Sequence, residues 1–337
     1  MATPIAEWHD VDAKRFREEV TAQYRPAVLR GLVAGWPVVG KARESTEAFV
    51  AYLKALDNGK PVDALRTPPS AGGRIFYNED MSGFNFTREK MSVSAVLERI
   101  SRNARFEKPP AVAVQSALAS DCMPQFPGLH PMPLLHGSVA PRVWIGSSVI
   151  TPAHFDESSN VACVVAGRRR FTLFPPGQVA NLYIGPIGYA PTGTPISLVE
   201  FANPDFARFP RFREALEAAQ VAELEPGDAL YIPPLWWHHV ESLERCNMLV
   251  NYWWKGRPEA PLAAASALDA LLHSLLNLRG LSPGQREAWR AIFDHYVFGA
   301  DDETAKHIPE ARRGVLGKMT PDYEKSVREF LVTQLKK

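Results

Sequence analysis

The chain has 337 residues, 46% hydrophobic and 22% charged, with a formal net charge of +1 and a pI near 7.8. This reads as an ordinary soluble globular composition, and it leaves no electrostatic footprint for nucleic acid or an anionic membrane. No apolar run reaches the ~20 residues that span a bilayer, and the three cysteines lack CxxC spacing, so neither a disulfide framework nor a thiolate zinc site is expected.

The opening MATPIAEWHDVD lacks the basic and apolar pattern of a secretory leader, and a reducing cytoplasm is the expected home. Asp12 to Val20 reads as a short helix, with Phe16 and Val20 one turn apart. Pro26 to Gly31 reads as a strand, closed by Gly35-Trp36-Pro37. Ser45 or Thr46 can cap a helix to about Leu56 with Phe49, Tyr52 and Leu53 on one face, before a turn at Asn58-Gly59. Arg74 to Tyr77 is strand-like, Ser94 to Ile100 helical, and the polar, proline-bearing segment from Asn103 to Pro110 reads as a hinge into a central domain.

From Ala111 to Trp254 the pattern becomes short apolar runs broken by Pro and Gly: Ala111–Gln115, Val143–Ile145, Val161–Val165, Phe171–Phe174, Ala229–Ile232 and Met248–Trp254. Short strands with turn signals and no alternating helices favour a sandwich or barrel over a parallel sheet. Residues 177–220 form a long insertion rich in Pro, Gly, Asn and aromatics, the kind of loop that serves as a lid or binding segment. After Lys255-Gly256-Arg257-Pro258 the composition turns helical. One stripe carries Leu268, Leu271, Leu272, Leu275 and Leu276; Ser282-Pro283 and Thr320-Pro321 open two further helices. Stripes of this kind either face a core or await a partner helix.

The residues that carry chemistry begin at Thr151-Pro152-Ala153-His154-Phe155-Asp156. On a strand, positions i and i+2 share a face, so an HxD pair sends an imidazole and a carboxylate into one space. Trp236-Trp237-His238-His239-Val240 offers a third ligand, and on a strand only one of its two histidines faces inward. Two His and one carboxylate leave about three positions of a metal open, the arrangement of non-haem Fe(II) oxygenases. His9, His130, His136, His273, His295 and His307 are scattered and receive no role.

Arg168-Arg169-Arg170 follows Gly167 at the start of a strand. As a solvated basic turn it would mean nothing. Alternation, however, puts Arg169 on one face with Phe171 and Leu173, and an inward cation there needs an anion; a guanidinium suits a carboxylate. Thr151, Asn160 and Asn251 can add neutral hydrogen bonds to the same space, although Asn251 equally serves a structural bond to backbone.

These residues resemble the cupin-like, Jumonji-C-related Fe(II)- and 2-oxoglutarate-dependent oxygenases, and among them most of all the protein asparaginyl hydroxylases. The shared wording is TPAHFDE with Asn160, then Leu173-Phe174-Pro175-Pro176, Asn203 to Pro210, Pro226 to Pro233, Trp236 to Ser242, and Val250-Asn251-Tyr252-Trp253. It is strong over roughly residues 110–256 and weak in the N-terminal third. The resemblance implies a mainly β fold: a double-stranded β-helix (jelly-roll, cupin-like) core with N-terminal α/β elements and a C-terminal helical segment. It implies His154, Asp156 and His238 as iron ligands with His239 adjacent but not ligating, Thr151 and Asn251 helping to hold 2-oxoglutarate, Asn160 near the cosubstrate and substrate, and a homodimer through the C-terminal helices. Two positions depart from the pattern: Arg169 stands where the family carries a lysine for the distal carboxylate of 2-oxoglutarate, and a tyrosine expected in Ala111–Gln115 is missing, its nearest match being Val112.

The expectation is therefore an N-terminal region 1–110, a jelly-roll catalytic core 111–256 with insertion 177–220, and a C-terminal helical segment 257–337. The expected function is a hydroxylase using Fe(II), 2-oxoglutarate and O₂ on a protein side chain or, less in keeping with the resemblance, a small molecule. Two alternatives stay open: a catalytically silent cupin that binds a metal or ligand, and a metal-dependent cupin that does not use 2-oxoglutarate.

Overall fold

The computed structural model describes residues 2–256, 267–301 and 303–336. Its central feature is eight strands: β1 Pro141–Gly146, β2 Ile150–His154, β3 Ser159–Ala166, β4 Arg169–Phe174, β5 Gln220–Leu224, β6 Ala229–Ile232, β7 Trp237–Ser242 and β8 Asn247–Trp254. They form two antiparallel arrays, ordered β5-β4-β7-β2 and β6-β3-β8-β1. Most spatial neighbours are not neighbours in sequence, as two interleaved Greek keys require, and this is a jelly roll of the cupin type.

Alternation decides which side chains meet between the arrays. Ala162, Val164, Phe171, Leu230, Ile232 and Leu249 face one another across the interior. The opposite faces are covered too, which is why the strands read as nearly unbroken apolar runs. Outside the larger array, Val161, Cys163, Val165, Val250 and Tyr252 pack with Val38, Phe49, Leu53, Val93, Val96 and Ile100. Those last six lie on helices Pro37–Glu44, Thr46–Leu56 and Val93–Asn103. Ser45 and Ser92 cap the latter two by accepting from Ala48 N (3.0 Å) and Ala95 N (3.2 Å). Outside the smaller array, Phe174 and Trp237 are covered by Leu182, Val199, Phe209 and Phe212 of the insertion.

N-terminal strands extend both arrays. Val62–Thr67 and Thr87–Met91 join beyond β1 through Ala111–Val114, Glu7–Trp8 and Ala27–Leu29 beyond β6, and Thr3–Pro4 beside β5. Residues 103–110 connect a helix to a strand within this unit, and Asn103 Nδ2 donates to the Pro110 carbonyl at 3.1 Å. Arg74 to Tyr77 is not a strand. Arg74 and Tyr77 each make one isolated bridge, to Ile150 and Phe84, and the ladder stops because the Asn85 side chain takes Phe76 N (2.9 Å) and Arg74 O (2.9 Å). Gly167, at φ +69°, makes the β3–β4 turn; a Cβ there would collide with the Asn247 side chain.

By its contacts the chain divides into two compact units, Met1–Ala264 and Ala265–Lys337. The second contains helices Ala267–Leu278, Pro283–Phe293 and Pro321–Leu335, where the sequence stripes lead one to expect them. Ser282 and Gln285 form a full capping box at the start of the middle one. Among the described residues of this unit only Ala305 is buried. No helix among the described residues is long and apolar enough to cross a membrane.

Candidate metal and cosubstrate site

One narrow cavity between the two arrays is lined by Thr151, His154, Asp156, Asn160, Arg169, His238 and Asn251, together with Trp144, Ala162, Phe171, Ile232, Val240, Leu249 and Trp253. All seven residues singled out from sequence meet there. The cavity is narrow and lies between apolar walls, so an occupant must be small and slender.

His154, Asp156 and His238 offer ligand atoms that lie within 4.8 Å of one another. His154 and His238 face each other in register on β2 and β7. Asp156 corrects the expectation drawn from strand alternation: β2 ends at His154, and Asp156 lies past the ladder, where its carbonyl accepts from Leu235 N at 2.8 Å. The loop, not a shared strand face, brings the carboxylate to the imidazoles.

Both imidazoles are oriented by their own strand. His154 Nδ1–H donates to the Pro152 carbonyl (2.9 Å) and His238 Nδ1–H to the Trp236 carbonyl (3.0 Å). Each Nε2 lone pair is thereby left for the cavity, the second-sphere device that fixes the tautomer of a metal-ligating histidine. Burial, with neighbouring His238 adding to it and Asp156 opposing, pushes His154 down to about 4, so its ring is neutral at physiological pH. Asp156 is held in turn: its Oδ2 accepts from Trp253 Nε1 (3.0 Å) and Asn160 Nδ2 (3.3 Å), and lies 3.7 Å from His238 Nε2. Asn251 Nδ2 donates to Asn160 Oδ1 at 2.7 Å.

Arg169 is the one of the three consecutive arginines that turns inward. Arg168 pairs with Glu244 (2.9 Å) and Arg170 with Glu223 (2.6 Å) at the surface. Arg169 is 5% exposed, has no ion-pair partner among the described residues, and its Nε lacks an acceptor. Burial pulls its guanidinium down to about 10. A buried cation without a counter-charge is costly, and its placement in the cavity fits a small anion. His239 points the other way and stacks on Phe201 (ring centroids 4.3 Å, 20°); burial, then the charge of Arg74, push it down to about 3.

The strand Ala111–Val114 contributes no lining residue; Val112 and Val114 face the helices. Sequence reasoning gave no part to Trp144. The signal was present, since alternation along Val143-Trp144-Ile145 sends the indole to the face opposite two core aliphatics.

A family model described as "Cupin-like domain" matches residues 13–260. "HSPB1-associated protein 1" of Bos taurus is 34% identical over 170 residues, 47% of this chain and 34% of that protein. "Lysine-specific demethylase JMJ31" of Arabidopsis thaliana is 35% identical over 114 residues, 33% of this chain and 20% of its own. "Lysine-specific demethylase 8" of Xenopus tropicalis is 24% identical over 263 residues, 75% of this chain and 53% of its own. The aligned part thus spans about half or less of each relative's length.

Proposed function

This chain belongs to the cupin-like domain family, and from that premise we propose that it is an Fe(II)- and 2-oxoglutarate-dependent hydroxylase acting on a protein side chain. The observation that carries the reading is the union, in one narrow cavity, of a two-His, one-carboxylate set at one end and the unpaired Arg169 at the other. The donor set suits iron with open positions, and the orphaned guanidinium suits the far carboxylate of a dicarboxylate.

His154 Nε2, His238 Nε2 and the carboxylate of Asp156 would hold the metal, while Arg169 would neutralise the distal end of the cosubstrate. Iron and 2-oxoglutarate, when bound, would supply the oxidising power, one oxygen atom of O₂ going to succinate with release of CO₂ and the other to the substrate. The protein's own share is positioning. Trp253 and Asn160 fix the carboxylate of Asp156, Thr151 and Asn251 border the cosubstrate space, and Phe171, Ile232, Val240 and Leu249 keep water from it.

The names of the relatives, two lysine demethylases and a protein associated with HSPB1, support a protein as the substrate class. A homodimer through the C-terminal helices is part of the same proposal, supported by exposed Leu271, Leu276, Trp289, Ile292 and Phe330. The three cysteines are free thiols, in keeping with a reducing cytoplasm.

Anaerobic titration of the Fe(II)-loaded chain with 2-oxoglutarate tests the reading. A visible charge-transfer band, absent in Arg169→Ala, together with aerobic succinate formation that is lost in His154→Ala, is the expected result. Bound iron without band or succinate would move the chain to a cupin that does not use 2-oxoglutarate.

A further inference from the structure

Two ladders descend from the metal triad to the far end of the cavity, and the inference drawn there rests on the cavity being a 2-oxoglutarate site. On the smaller array His238 lies opposite His154, then Val240 opposite Thr151, then Ser242 opposite Arg169. On the larger array Trp253, whose indole reaches Asp156, is followed by Asn251 and then Leu249, which lies opposite Trp144. At about 3.3 Å per residue, both Arg169 and Trp144 leave the backbone roughly 13 Å beyond the level of the triad, and both line the cavity.

Two donors beside the cavity are orphaned, and the Trp144 ring leans back along it toward Trp253, with ring centroids 6.2 Å apart. The Trp144 indole N–H is buried with no acceptor, as is Arg169 Nε. Buried donors almost always find a partner, so two of them beside one small cavity, one on a cation, describe the seat of an anionic acceptor. The strand where the resemblance looks for a tyrosine hydroxyl offers nothing to this space. The indole of Trp144 comes from the strand next to it in the sheet, at Ala113 opposite Gly146.

We propose that Trp144 is a positioning residue for the cosubstrate: its indole N–H donates to the distal carboxylate of 2-oxoglutarate beside the Arg169 guanidinium, in place of the missing tyrosine. The pair then selects for a second carboxylate on the ligand, since a chain ending in methyl would leave both donors unsatisfied.

The test uses the full chain loaded with Zn(II), which binds without turnover, and two probes: 2-oxoglutarate, and 2-oxopentanoate, which ends in methyl where the distal carboxylate stands. By calorimetry, Trp144→Phe, which keeps a ring and removes the N–H, weakens 2-oxoglutarate binding about tenfold and leaves 2-oxopentanoate within twofold of wild type. In ¹⁵N spectra the chain has eight tryptophans. One indole signal, missing from Trp144→Phe, moves downfield with 2-oxoglutarate and not with 2-oxopentanoate. If Trp144→Phe does not fold, Trp144→Tyr supplies the assignment and the wild-type shift decides. Arg169-dependent 2-oxoglutarate binding with an unmoved Trp144 signal, or equal affinity in Trp144→Phe, overturns the role of Trp144 and leaves the proposed function standing. Failure of wild type to bind 2-oxoglutarate overturns both.

Discussion

Replacing Arg169 by Met should stabilise the ligand-free protein while abolishing its response to 2-oxoglutarate. Arg169 is charged, buried and without a counter-ion among the described residues, and burial alone lowers it to about 10. The fall is about two and a half pH units, which at about 1.36 kcal/mol per unit amounts to roughly 3 kcal/mol. The sign follows from proton counting. Between the folded and unfolded pKa values the unfolded chain binds more protons, so the cost of the charge is fully present at pH 7 and fades only at strongly alkaline pH. Methionine keeps most of the aliphatic stem and removes the charge, as when buried ionic groups are replaced by apolar ones of similar volume. For a unit of this size 1 kcal/mol corresponds to about 2 °C, so a rise in Tm of about 3–6 °C is expected without ligand. In the Zn(II)-loaded wild type, 2-oxoglutarate at a hundredfold excess over its Kd should contribute about 2.7 kcal/mol, and the variant should show none of it. Thermal denaturation with and without 2-oxoglutarate measures both effects. A less stable ligand-free variant, or a preserved ligand shift, would refute the account of Arg169 as an unpaired anion receptor.

Trp253→Phe removes the indole bond to Asp156, and loss of such an outer-sphere partner should weaken metal binding by about ten- to a hundredfold; unchanged affinity in a Mn(II) titration would count against it. His130 is buried among Trp36, Tyr52 and Phe126 and lowered from its usual value by that burial. Its contribution to stability is therefore complete above about pH 6.5 and declines as the pH falls below that value. The urea midpoint should drop less between pH 7.5 and 5 in His130→Gln than in wild type. Leu276→Glu combined with Phe330→Glu, at side chains 79% and 60% exposed, should convert a dimer to a monomer in sedimentation velocity without loss of the helical signal. An unchanged sedimentation coefficient would remove the C-terminal helices from the interface.

The strands of the core were legible where apolar runs were long, as in Val161–Val165 and Met248–Trp254, because both faces of those strands are buried. Strand β5 was not, since Glu223 breaks its apolar pattern and pairs across the sheet surface with Arg170. The inward turn of Arg169 could be read from alternation with Phe171 and Leu173. The position of Asp156 could not, because a tertiary hydrogen bond from Leu235 places it rather than a local period. Helix Pro37–Glu44 was also hidden: its buried Val38 and Val39 are adjacent and make no amphipathic stripe.

The adjacent pair His238 and His239 bears on how the fold is checked during assembly. A strand displaced by one residue exchanges its two faces, and here a slip of β7 would present His239 to the cavity, an imidazole chemically equal to the correct one but set one residue off the level of His154. Packing opposes the slip as well, since it would turn Glu241 toward the space that Val240 now lines. A metal ion that requires the His154–His238 pairing rewards one register and not the other, so loading would act as proofreading. Protein refolded without metal should then contain a slowly exchanging fraction that cannot take up iron.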